Sequence, residues 1–159
     1  MAQTTGIINS SSIRVFLGTT DDSEVVVDHV TECSISMSTD MRDITTKTSG
    51  GFREILPGLK SASLSLSGLF AEDATNGFNQ LIDHQIAGDL LYVILTNTGS
   101  GSTANTGDEQ FDVAGYITSL EQTAGVEDNV GFSMTIEVTG TVVREPLIVT
   151  GKQIGRAHV

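Results

Sequence analysis

Histidines, cysteines and paired carboxylates are the side chains best able to move protons or hold metals, and this chain spreads them thinly. His29, His84 and His158 fall in a predicted loop, a predicted helix and the C-terminal end, with no Cys or acidic partner at the spacing of a metal site or proton relay. Cys33 is the single cysteine, which excludes an intrachain disulfide, and its apolar neighbours mark it as a small buried hydrophobe. Asp21 with Asp22 and Glu127 with Asp128 sit in turn-like sequence, and no Asp-x-Asp-x-Asp-Gly order for calcium occurs. Lys47-Thr-Ser-Gly-Gly and Gly58-Leu-Lys60-Ser lack the residue order of a phosphate loop, and there is no Gly-x-Ser-x-Gly elbow despite the many serines. The residues therefore point to no catalytic, cofactor-binding or metal site.

One segment concentrates chemistry of another kind. Residues 40–58, DMRDITTKTSGGFREILPG, mix Arg42, Lys47, Arg53 and Glu54 with Phe52, Ile55 and Leu56 around a Gly pair. A loop of this length with embedded apolar residues inside a compact domain is commonly functional. The family resemblance given below, which implies stacked subunits, makes these seven residues the candidate inter-subunit contacts. The competing reading is a strand pair that folds back on its own domain. The polar N-terminal arm, residues 1–12, is a second candidate contact, ordered on assembly.

The elements that must position this segment are mostly strands. Ala62, Leu64 and Leu66 alternate with Ser61, Ser63, Ser65 and Ser67, and Phe132, Met134, Ile136 and Val138 alternate with Ser133, Thr135, Glu137 and Thr139. A period of two puts one apolar face inward on each strand. The same logic predicts strands around Ile13, Val15 and Leu17; Val25 and Val27; Cys33, Ile35 and Met37; Leu91, Val93 and Leu95; and Phe111, Val113 and Ile117. Seven or so strands punctuated by Gly, Asn and Asp read as a mainly β sandwich or barrel. Phe78, Leu81, Ile82 and Ile86 follow helical spacing instead. They predict one flanking helix over about 74–87, capped by Asp73 or Thr75 and ended by Gly88. Residues 97–108, NTGSGSTANTGD, have no periodicity and read as a surface loop.

With 159 residues the chain is expected to form one domain, and it carries 20 acidic against 8 basic residues. No basic patch is present to grip nucleic acid, and an acidic surface repels phosphate, so a strand passes it without sticking. No stretch is apolar enough for a membrane span or a secretory leader, which predicts synthesis in a cytoplasm. The ending QIGRAHV, residues 153–159, fits the translated start of a common sequencing-library adapter, so the domain is expected to occupy 1–152 with a non-native tail after it.

At residues 43–70, DITTKTSGGFREILPGLKSASLSLSGLF, the chain resembles the major tail tube proteins of long-tailed, non-contractile, siphovirus-like phages. The resemblance continues through 73–88, ending in Gln85-Ile-Ala-Gly88, through Gly115-Tyr-Ile-Thr-Ser-Leu120 and Ala124-Gly-Val-Glu-Asp-Asn129, and through 132–140. Phe52 stands where an aromatic, often Trp, is usual, and Ala62 replaces a larger residue. The resemblance implies a two-sheet β fold with a flanking helix and no enzyme activity or cofactor. It also implies hexameric rings stacked into a hollow tube in the virion tail, with genomic DNA passing through the lumen unbound. Tape-measure and tail-terminator proteins are the implied partners, and the host bacterial cytoplasm is the implied place of synthesis. Two alternatives stay open: the inner tube of a contractile phage or injection particle, and a carbohydrate- or surface-binding β-sandwich. The second is disfavoured by the lack of Trp and the presence of only Tyr92 and Tyr116 for stacking.

Overall fold

The computed structural model describes residues 13–20, 24–97, 109–146, 148–150 and 153–155. The order of elements is β1 (Ile13–Gly18), β2 (Val25–Val26), β3 (Val30–Asp43), β4 (Ile55–Leu69), α1 (Phe78–Ala87), β5 (Leu91–Asn97), β6 (Glu109–Thr123) and β7 (Gly131–Pro146), then β8 (Ile148–Thr150) and β9 (Gln153–Gly155). Each predicted strand is present. The predicted arm 1–12 lies outside the described residues, as does the loop predicted at 97–108 apart from Asn97, which ends β5. Of the predicted tail, Gln153–Gly155 pairs with Ile148–Thr150 in a separate two-stranded sheet.

The first seven strands form one antiparallel sheet in the order β2-β1-β5-β6-β7-β4-β3. Its two outermost strands, β2 and β3, are consecutive in the chain and joined only by Val27, Asp28 and His29. Laid flat, seven strands would hold those edges about 29 Å apart at roughly 4.8 Å per strand. A connection of three residues reaches at most about 14 Å. The sheet must therefore roll over, and hydrogen bonds mark the closure: Val27 N–H donates to the Val15 carbonyl at 2.8 Å, and Leu69 N–H donates to the His29 carbonyl at 3.0 Å. The expected pair of facing layers is thus one continuous sheet folded on itself.

The fold encloses one core. Leu64 and Leu66 of β4, Met134 and Ile136 of β7, Val15 and Leu17 of β1, Leu91 and Val93 of β5 and Val113 of β6 are buried together. Alternation accounts for β4 and β7, whose serines face outward. β1 and β5 depart from it, because Phe16 and Ile94, paired in register on the opposite face, are also buried. Continuous apolar runs are the mark of strands covered on both sides.

The helix is shorter than its predicted span. It begins at Phe78 with Gly77 as N-cap, and the Gln80 side chain accepts from Gly77 N–H at 3.0 Å, so neither Asp73 nor Thr75 caps it. The preceding turn is held elsewhere: Asn76 donates to the Val25 and Val26 carbonyls and its N–H reaches Asp28, which anchors the helix start to the β2–β3 crossover. Gly88 ends the helix in the left-handed region at φ 72°. Phe78 and Leu81 are buried, Phe78 packing edge-on against Phe70 with ring centroids 5.8 Å apart. Ile86, assigned by spacing to the same stripe, is instead 80% exposed.

Because Leu66 is fully enclosed, Leu66→Ala is expected to cost about 2–5 kcal/mol in urea unfolding of the monomer. The neighbouring outward substitution Ser65→Ala should stay within roughly 0.5 kcal/mol of the parent chain.

Candidate assembly surfaces

Strands β3 and β4 pair from Val30↔Gly68 out to Asp43↔Ile55. β7 accompanies β4 only over Ser63–Leu69. Residues 37–43 and 55–62 are consequently paired only with one another, as a ribbon of about 20 Å at roughly 3.3 Å per residue. The segment 40–58 is thus not a loop throughout: its two ends are strand, and only 44–54 is connection. The signal was hidden by a β-bulge. Between Thr39↔Lys60 and Met41↔Pro57, β4 carries one extra residue, which breaks the period of two at Pro57, Gly58 and Leu59.

The tip is built by local hydrogen bonds. Glu54 N–H donates to Thr45 Oγ1 at 2.8 Å, and Ile44 N–H donates to the Glu54 carbonyl at 3.0 Å. Ser49 closes the turn with Thr46 through its N–H and its hydroxyl, and Gly50 and Gly51 take φ of 64° and 85°, which a β-carbon would oppose. The Asp43 carboxylate accepts from Thr45 N–H at 2.9 Å and lies 3.4 Å from Arg53 Nε. Hydrogen bonds from the Thr45 hydroxyl and N–H, with a smaller contribution from Arg53, hold the Asp43 carboxyl below the usual aspartate range.

The structure places the seven candidate residues as follows. Arg42 and Leu56 are register partners on one face of the ribbon, and Ile55 sits opposite Asp43 on the other. Lys47 and Phe52 are at the tip, apart from that pair. Arg53 is used within the ribbon, on Asp43, and Glu54 contributes backbone bonds to the tip. The apolar members are open to solvent, Phe52 at 80% and Leu56 at 50%. Four further residues share that state and were missed: Met37, Met41, Ile44 and Leu59. Met37 and Met41 continue the Cys33, Ile35 alternation, so they were within reach of the pattern.

Two other features bear on association. Among the described residues, β3 is an edge strand along its whole length, and β6 has no neighbour on its second side beyond Gly115, where its pairing with β5 stops. The outward face between those edges is a field of hydroxyls: Ser34↔Ser65, Ser36↔Ser63 and Ser38↔Ser61 across β3 and β4, then Ser65↔Thr135 and Ser67↔Ser133 across β4 and β7. Glu32, Glu121 and Glu137 share this face, and no Lys or Arg occurs anywhere from residue 61 to 143.

Among the described residues, His29, His84 and Cys33 lie on separate elements. His84 Nδ1 meets Asp89 at 3.0 Å at the helix end, a partner the sequence reading did not assign it, and His29 lies in the crossover. Cys33 is half-buried, and burial, aided by nearby Glu32, pushes its thiol pKa up, away from the reactive thiolate. Among the described residues no group of three or more His, Cys, Asp and Glu is placed to hold a metal, and no helix is long and apolar enough to cross a membrane.

A rolled seven-stranded antiparallel sheet with a projecting ribbon and open edges defines a mainly β protein with one short helix. The chain belongs to the phage tail tube protein family, whose model matches residues 12–144. No curated protein sequence matches it. Among solved structures it is similar to the tail of an empty gene transfer agent particle refined with C6 symmetry, at 18% identity and a TM-score of 0.70, covering 86% of this chain and 98% of that one. The SPP1 tail tube is similar at 16% identity and a TM-score of 0.70, over 90% of this chain and 81% of that one. The tube of an extracellular contractile injection system in its sheath–tube complex is similar at 16% identity and a TM-score of 0.65, over 90% and 94%.

The Asp43 geometry has a pH signature. With its folded pKa depressed, the group's contribution is fully present above the ordinary aspartate value of about 3.9 and is lost as pH falls through the lower folded value. Carboxyl NMR titration should place Asp43 below the ordinary aspartate value of about 3.9, and Thr45→Val should move its midpoint upward.

Proposed function

We propose that this protein is the repeating, non-enzymatic subunit of a phage tail tube, with six copies closing a ring and rings stacking into a hollow conduit for DNA. The observation that carries the reading is the ribbon. An isolated two-stranded hairpin is marginally stable in water, yet this one displays Met37, Met41, Ile44, Phe52, Ile55, Leu56 and Leu59 to solvent. Burial against another copy removes that surface from water, each large side chain contributing about 1.5–3 kcal/mol when fully covered.

The open edges support ring closure. β6, β7, β4 and β3 alternate in direction, so the β3 edge of one copy meets the β6 edge of the next in antiparallel sense. Such a head-to-tail contact generates a ring when its rotation closes. The C6 symmetry of the similar gene transfer agent tail supports six copies. Edge pairing turns the hydroxyl face into a continuous wall that offers duplex DNA no cation. Tape-measure and tail-terminator proteins are the partners this reading adds. The fold is common to tubes with and without a contractile sheath, and a sheath gene beside this one would assign it to the contractile kind.

Electron microscopy of the overexpressed protein should show hollow tubes with sixfold end views. Phe52→Asp with Leu56→Asp should leave a folded monomer by circular dichroism and reduce tubes about tenfold or more; tubes at wild-type yield would remove the ribbon from the interface. Purified tubes should bind duplex DNA negligibly at moderate salt, and tight, salt-sensitive binding would contradict the cation-free wall.

A further inference from the structure

Asn76 and Gly77 hold the start of α1, and the fold has a separate use for each. Asn76 is buried against the β2–β3 crossover. Its Nδ2 donates to the Val25 carbonyl at 3.1 Å and to the Val26 carbonyl at 3.3 Å. Its N–H donates to Asp28 Oδ2 at 3.0 Å, and its carbonyl accepts from Asp28 N–H at 3.0 Å. Gly77 has no room for a side chain, because a β-carbon there would lie 2.7 Å from that of Ala74. Its N–H donates to Gln80 Oε1 at 3.0 Å. Asparagine followed by glycine occurs nowhere else in the chain, the other asparagines preceding Ser10, Gln80, Thr98, Thr106 and Val130.

Such a pair is chemically self-reactive, since a residue without a side chain lets its backbone nitrogen approach the asparagine amide carbon. Gly77 N would give its proton to solvent base and bond to Asn76 Cγ, the Cγ–Nδ2 bond would break, and ammonia would leave. Water then opens the cyclic imide at either carbonyl, giving aspartate or isoaspartate. In the folded chain both reacting groups are engaged. The bonds to Val25 and Val26 fix the amide plane, and the Gln80 bond opposes loss of the Gly77 proton. A cavity of about 260 Å³, lined in part by Val25, Thr75, Asn76 and His84, gives water a place beside the site.

We infer that Asn76 with Gly77 is a self-modification site, latched by Gln80 and by the Val25 and Val26 carbonyls, whose deamidation unfastens α1 from the crossover. The product carboxylate has no proton for those carbonyls and faces the Asp28 carboxylate, so attraction becomes repulsion where charge is poorly solvated. The field of the helix N-terminus favours an acid but is the weaker effect, because this side chain faces the carbonyls and not the helix amides. Isoaspartate also lengthens the backbone just ahead of Phe78, which is buried in the core. The change is irreversible. It gives the chain a clock that advances whenever the helix start opens.

The test follows ammonia loss by peptide mass spectrometry on the full chain held at mildly alkaline pH, folded and in urea. In urea Asn76 should convert ahead of the other asparagines, and in the folded chain it should convert far more slowly. Gln80→Ala should speed conversion of the folded chain about two- to tenfold, the worth of one hydrogen bond, and leave the rate in urea unchanged. Gln80→Glu, which keeps an acceptor for Gly77 N–H, should stay near the parent rate. Asn76→Asp, which installs the product, should unfold at a lower urea concentration than the parent. No preference for Asn76 in urea would overturn the site. Equal rates in the folded chain and in urea, or no effect of Gln80→Ala, would overturn the latch. An Asn76→Asp chain with the parent's urea midpoint would overturn the unfastening.

Discussion

The crossover of three residues between β2 and β3 is the constraint on which the architecture depends. Strands at opposite ends of a seven-stranded order cannot be consecutive in the chain unless the sheet rolls, and rolling brings β1, β4, β5 and β7 around one core. His29 turns the chain at φ 59°, a backbone state that costs a non-glycine residue about 1–2 kcal/mol, and its carbonyl is then used on Leu69. Asn76 fastens the helix start to the same crossover, so helix placement and sheet closure share one set of hydrogen bonds.

Once the sheet has closed, strand length decides which surfaces remain open. β3 and β4 are longer than the β7 segment beside them, and the surplus becomes the ribbon. β6 outruns β5, and its surplus becomes an edge. Stability is accordingly uneven. The closed part holds the buried leucines and valines, whereas the ribbon relies on its own cross-strand bonds and a hydrogen-bonded tip. Regions with few buried contacts open at the lowest free energies.

Much of this was legible in the residues because a half-covered strand writes its two faces into alternate positions. The serines of β4 facing outward and its leucines facing inward needed no further information. Phe16 and Ile94 were harder, since strands covered on both faces lose the alternation. Residues 40–58 read as a loop in the sequence because a bulge beside Pro57 shifts the register by one residue. Gly77 and Asn76 at the helix start were missed, since their roles depend on Gln80 and on the distant strand β2. Ile86 obeys helical spacing yet stays exposed. The family resemblance centred on 43–70 supplied what periodicity lacks, and the match over 12–144 bears it out.

Under the assembly proposed above, the ribbon has a kinetic consequence. A free copy must order its two outlying strands without support, while a copy arriving at an existing end finds a surface already shaped to receive them. The first assembly is therefore slow and each later addition fast, as in any growth with a costly nucleus. Below the concentration at which a nucleus forms unaided, growth waits on a seed, which then sets its timing and position.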